Sequence, residues 1–163
     1  MEYVYIGRIV NTHGIKGELR LKSDFDKKDR VFIPNMTIYI GKNYIKEEIV
    51  TYRRHKDFDM ITLKGYNNIN QVLDYLKMNV YVNREDLKLS RDEYLLEDLI
   101  GKKIVENEEE LGKVIDIVYN GGNNLLLVEG IRNFYIPIND YYIKNVLEND
   151  NVIEVENAKG LIL

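Results

Sequence analysis

The residues from Gly7 to Arg20 constrain the fold more than any others, because they prescribe two strands joined by a loop of defined shape. Gly14 and Gly17, three positions apart, allow the backbone positive φ twice. The loop is therefore expected to turn sharply, with Ile15 between the glycines folding inward as a plug. Beyond it, Leu19 and Leu21 alternate with Glu18, Arg20 and Lys22, a period of two that assigns the leucines to a core and the charges to water. The resulting charged face is mostly basic and adjoins His13 and Lys16.

The rest of the N-terminal half continues as β. Strands are predicted at Met36 to Ile40, Tyr44 to Arg54, Met60 to Lys64 and Asn79 to Asn83, the last with Val80 and Val82 facing one way. Gly41-Lys42-Asn43 and the run His55 to Asp59 supply hairpin turns. Asp24 to Phe32 is charged and followed by Pro34, which predicts a loop with one helical turn. Asn70 to Leu76 places Val72, Leu73 and Leu76 at helical spacing, with Asn67, Asn68 or Asn70 available as a cap. Six or so strands, short hairpins and one helix indicate a closed or nearly closed barrel that leaves few edges exposed.

Arg84, Glu85, Asp86, Lys88 and Arg91 are interrupted only by Leu87 and Leu89 among the strongly apolar residues, so Arg84 to Asp92 cannot form an apolar face. A domain boundary belongs there, giving residues 1–84, a linker at 85–93 and a second domain at 94–163. The second half runs from Tyr94-Leu95-Leu96 to Val105 as one strand pattern. An acidic turn, Glu106 to Glu110, leads to a second strand over Leu111 to Tyr119. Asn120 to Asn124 tolerates left-handed backbone, and Leu125 to Val128 reads as a buried strand. Phe134 to Ile138, then Ile143 to Leu147 and Val152 to Val155 around the turn Glu148 to Asn151, complete a smaller mainly β domain.

Composition bears on partners and compartment. With 45% hydrophobic and 31% charged residues in 163, the chain is expected to fold around a core. It has no cysteine, which excludes disulfides and thiolate metal sites and fits a reducing cytosol. Neither a signal peptide nor a membrane-length apolar run is visible, so a cytoplasmic protein without a membrane partner is expected. The net charge of −4 hides an asymmetry: residues 1–90 carry +4 and residues 91–163 carry −8. The first balance suits a phosphate backbone and the second a basic protein.

Catalysis has little support. His13 with Glu18 is an acid–base pair in principle, but no nucleophile elbow or phosphate-cradling glycine pattern accompanies it. Two histidines 42 positions apart do not suggest a metal site. No catalytic residue, cofactor or metal is assigned, although a small-molecule-binding barrel enzyme and a generic RNA-binding module stay open as alternatives.

The order Gly-Arg-Ile, then His13-Gly14-Ile15, then Gly17-Glu18-Leu19 resembles the opening signature of the bacterial ribosome maturation factor RimM family. Asp98-Leu99-Ile100-Gly101, Leu111-Gly112-Lys113-Val114, Gly121 to Leu125 and Ile136-Pro137 resemble the PRC-barrel domain that follows in that family. The resemblance implies two small β-barrel domains, the first like the second domain of translation elongation factors. It implies a non-enzymatic assembly factor, a monomer, that binds the immature small ribosomal subunit and promotes head maturation and rRNA processing. Its implied partners are the small-subunit head ribosomal protein S nineteen and nearby rRNA. On this reading Arg8, His13, Lys16, Arg20 and Lys22 meet RNA, while Tyr94, Leu95, Gly121, Asn123 and Pro137 meet the protein partner.

Overall fold

A computed structural model describes residues 1–147 and 150–162. The chain divides into two compact units, Met1–Glu93 and Tyr94–Leu163. In the first, strands β1 (Tyr3–His13), β2 (Glu18–Lys22), β3 (Thr37–Ile40), β4 (Ile45–His55), β5 (Phe58–Leu63) and β6 (Asn79–Asn83) form a closed barrel of order β1-β2-β5-β4-β3-β6. Closure is made by β6 returning antiparallel to β1, with Tyr3 opposite Asn83 and Arg8 opposite Asn79. Alternation sends Val4, Ile6, Leu19, Leu21, Val80 and Val82 into the interior, where all are buried. Register shifts in β1 between Tyr5 and Gly7 and between Ile9 and Asn11 let one long strand pair with two neighbours around the curve.

Ile15 does not plug the barrel: its side chain is 75% exposed. Gly14 and Gly17 do take positive φ, at 70° and 92°. The loop docks through its backbone, however, with Ile69 N–H donating to Ile15 O at 2.8 Å. With the main chain held from that side, the interior is left to Leu19 and Leu21.

The predicted single helix at Asn70 to Leu76 is two 3-10 turns, Ile69–Gln71 and Leu73–Tyr75. Gln71 Oε1 accepts from the backbone N–H groups of Asn67 and Asn68 at 2.7 and 3.2 Å, fixing the entry. The tighter winding buries Val72 and Tyr75 and leaves Leu73 outside. Tyr75 and Tyr66 both donate their hydroxyls to Glu47. Burial and that acceptor push the Tyr75 hydroxyl well above the ordinary range.

Asp59 is fully buried and fully partnered, which is what a charge in a barrel wall requires. It accepts from Tyr52 Oη at 2.6 Å and lies 2.8 Å from Lys28 Nζ and 3.2 Å from Arg54 Nη1. Burial, then the bond to Asp59, pushes the Tyr52 hydroxyl up to about 12.

The segment after β6 is ordered against the first unit. A 3-10 turn at Arg84–Leu87 buries Leu87, and Arg30 donates to the carbonyls of Leu87 and Lys88 at 3.1 and 3.3 Å. Arg30 Nη2 also reaches Glu93 at 2.6 Å.

The second unit is a six-stranded sheet of β7 (Lys103–Glu106), β8 (Glu109–Val118), β9 (Leu125–Glu129), β10 (Phe134–Pro137), β11 (Ile143–Leu147) and β12 (Val152–Val155), in the order β10-β9-β8-β7-β12-β11. Its core gathers Leu99, Ile104, Val114, Leu126, Val128, Phe134, Ile136 and Ile153. The stretch from Leu95 does not start as a strand. Asp98 Oδ2 accepts from Leu95 N–H at 2.9 Å, and Leu96–Leu99 winds into a 3-10 turn that drives two leucines into the core. The acidic turn is tighter than expected, Asn107 and Glu108 alone taking positive φ. Part of the turn predicted at Glu148 to Asn151 lies outside the described residues.

Candidate functional site

The β1–β2 and β4–β5 hairpins lie side by side through the antiparallel β2–β5 pairing, with their turns at opposite ends of those two strands. His13 stands opposite Glu18 at one tip and His55 opposite Phe58 at the other. The two imidazole rings are 5.3 Å apart, tilted by 57°. Arg20 Nη2 donates to His13 Nδ1 at 3.0 Å, an arrangement that needs this nitrogen unprotonated. The same guanidinium lies 5.1 Å over the Phe58 ring, and its Nε is buried without a hydrogen-bond partner among the described residues.

Arg53 grips Glu18 with two bonds, 2.9 and 2.7 Å, which hold the Glu18 carboxyl below its usual range. Glu18 is thereby used up by Arg53 and is no acid–base partner of His13. Partial burial, followed by the charges of Arg53, His13, Lys56 and Arg20, holds His55 below the ordinary histidine range. Cations thus outnumber anions in this cluster, and Lys16 is exposed on the β1–β2 loop.

Of the five candidate RNA-facing residues, His13, Lys16 and Arg20 lie at or beside the β1–β2 turn. Arg8 and Lys22 are a cross-strand pair farther along β1 and β2. Arg53, His55, Lys56 and Phe58 were missed from sequence. Only the β2–β5 pairing joins the two hairpins, and no local pattern announces it.

The second unit brings a different set together. Asn120 N–H donates to Asn124 Oδ1 at 3.0 Å and Asn123 N–H to Asn120 O at 3.0 Å, closing a turn in which Gly121 and Gly122 take positive φ. Ile138 N–H donates to Asn124 O at 2.9 Å, so Pro137 ends β10 beside this turn. Gly121 and Asn123 are exposed. Leu95 is not available to a partner: it is fully buried, as the 3-10 turn that follows requires. Tyr94 is half-buried and packs on the core of the second unit. Among the acidic residues, Glu106 is buried and accepts from Ala158 N–H at 2.7 Å, and Glu109 pairs with Lys159. Glu108 and Glu110 are left exposed to solvent.

A closed barrel bearing a cationic, histidine-containing cluster, followed by a sheet domain with an acidic balance, defines a two-domain, mainly β protein. Residues 4–87 match the RimM N-terminal domain family and residues 96–161 the RimM PRC barrel domain family. The chain is 35% identical to the ribosome maturation factor RimM of Staphylococcus haemolyticus, covering 98% of both chains. It is 36% identical to that of Oceanobacillus iheyensis, covering 96% of this chain and 95% of the relative. A solution structure of the RimM N-terminal domain from Thermus thermophilus aligns with 53% of this chain and 95% of its own at 21% identity and a TM-score of 0.45. The chain belongs to the RimM family.

Proposed function

We propose that this protein acts in ribosome maturation by binding the immature small ribosomal subunit. The cationic cluster of the first barrel would meet rRNA, and the second unit the head protein S nineteen. The carrying observation is the convergence of His13, Arg20, Arg53, His55 and Lys56 from two hairpins into one cluster, with Glu18 as the carboxylate that two bonds tie to that group. Such a cluster attracts phosphate and releases counterions on contact. The acidic balance of the second unit complements a basic ribosomal protein in the same way. The factor needs no covalent step, since binding one assembly state more tightly than others shifts the population toward it. The cytoplasm is where such a role would be exercised.

The test is co-sedimentation of the intact protein with small subunits isolated from cells lacking it. Association with immature subunits in preference to mature ones is expected, along with weakening by the double substitution Lys16→Ala and Lys56→Ala. Equal sedimentation with mature subunits, or none with either, would overturn the reading.

A further inference from the structure

Away from the cationic cluster, the outer wall of the first barrel carries a tyrosine cluster that neither the core nor the histidines use. Tyr3 and Tyr44 are stacked at 3.8 Å with 4° between their planes. Tyr81 meets the rings of Tyr3, Tyr44 and Tyr5 edge-on, at 6.5, 5.1 and 5.9 Å. Despite these contacts Tyr3, Tyr5 and Tyr44 are 36%, 46% and 38% exposed. A set of rings that hold one another in place yet keep much of their surface in water is costly to leave bare and already ordered for a planar ligand.

The next exposed residue along the same strand, Arg8, is cationic. Arg8 stands directly opposite Lys22, both exposed. Like charges facing each other across a strand pair oppose folding, so packing gives no reason for the pair, whereas an anion laid between them would remove the repulsion. Arg8 spends one donor, Nε, on Lys77 O at 3.1 Å, leaving the remaining guanidinium donors for other partners.

We propose that the outer face of β1, from the rings of Tyr3, Tyr5, Tyr44 and Tyr81 to the Arg8 and Lys22 pair, is a track for an unpaired RNA strand, with bases stacking on the tyrosines and phosphates passing the cations. Sequence-tolerant binding of single strands needs these two elements, π faces for bases and a basic line for the backbone. At a rise of about 3.3 Å per residue, β1 spans about 30 Å from Tyr3 to His13, so the track leads toward His13 and its cationic cluster. The inference deepens the proposed RNA contact and rests on it, while naming a different surface and a single-stranded ligand.

The chain has 13 tyrosines and no tryptophan, so its intrinsic fluorescence is a tyrosine signal that base stacking would quench. The experiment titrates the intact protein with a short oligouridylate and with an RNA duplex of equal length, following fluorescence and anisotropy. The single strand should bind more tightly and quench. Tyr5→Ala with Tyr44→Ala should weaken it roughly tenfold or more, and Tyr5→Phe with Tyr44→Phe should restore it. Arg8→Gln with Lys22→Gln should flatten its salt dependence. Far-ultraviolet circular dichroism and the thermal transition establish that each variant is folded. Loss of binding in Lys16→Ala with Lys56→Ala, with none in a folded tyrosine variant, would overturn the track and leave the cationic-cluster reading intact. Equal affinity for duplex, or no RNA binding by the parent, would overturn it as well, and subunit sedimentation would then stand as the separate test of the broader function.

Discussion

His55 shows how much a single residue owes to its surroundings. Its pKa is lowered by partial burial and by Arg53, His13, Lys56 and Arg20, so the folded protein binds fewer protons there than the unfolded chain. The stabilising contribution is therefore complete above the ordinary histidine value of about 6.5 and is lost as pH falls through the lower folded value. An anion bound at the cationic cluster reverses the sign, since it favours the imidazolium. RNA binding near pH 6 should take up protons in the parent and take up fewer in His55→Gln, which calorimetry in buffers of different ionisation enthalpy would measure; equal uptake would remove His55 from the interface. Gly112 makes a purely steric prediction. A Cβ there would sit 2.4 Å from Glu129 O and 2.8 Å from Val128 Cγ1, at φ +154°. Gly112→Ala should cost the second unit about 2 kcal/mol or more, read by chemical denaturation. Alternation made Leu19 and Leu21 legible in the sequence. It could not place Ile15, whose position is set by a hydrogen bond from a residue 54 positions away, nor Leu95, buried by a local turn that an apolar run disguises as a strand.

At the scale of elements, hairpins were legible and long-range closures were not. Each antiparallel neighbour pair joined by a short turn follows from local turn chemistry, as at Gly41 and at His55 to Phe58. The pairing of β12 with β7 is parallel, with Val152 opposite Lys103, and a parallel pair has no turn to announce it. The charges of the linker serve as tethers to the first barrel. Glu93 accepts from Ser90 N–H at 2.9 Å and pairs with Arg30 at 2.6 Å, and these two contacts, in that order, draw its carboxyl down to about 2. Its contribution is present above the ordinary glutamate range near 4.3 and lost as pH falls toward 2. Glu93→Gln should therefore expose Lys88 and Arg91 to trypsin at neutral pH while the barrel's own unfolding midpoint moves little. Cleavage at the parental rate would mean that burial of Leu87 alone secures the segment.

For the whole molecule, the separation of charge between the two halves leads to a kinetic expectation. Within the acidic turn Glu106 is buried and Glu109 pairs with Lys159, which leaves Glu108 and Glu110 as the carboxylates that face solvent and set its field at low salt. Glu108→Gln with Glu110→Gln should slow association of the intact protein with the head protein several-fold at low salt and leave dissociation nearly unchanged. Surface plasmon resonance across ionic strengths checks this, and an unaltered association rate would exclude steering by the turn. The β7 and β12 pairing has a further consequence, for biosynthesis. The first barrel has every strand it needs once Asn83 has been translated, and it can close while later residues are still being added. The second sheet cannot: β7 has one side without its partner until Val152 to Glu154 are made, some fifty residues after Lys103. Throughout that interval the nascent chain carries an open strand edge beside Ile104. A chain interrupted after β9 should therefore hold a finished barrel and an aggregation-prone tail, and translational pausing in that interval would prolong the exposure.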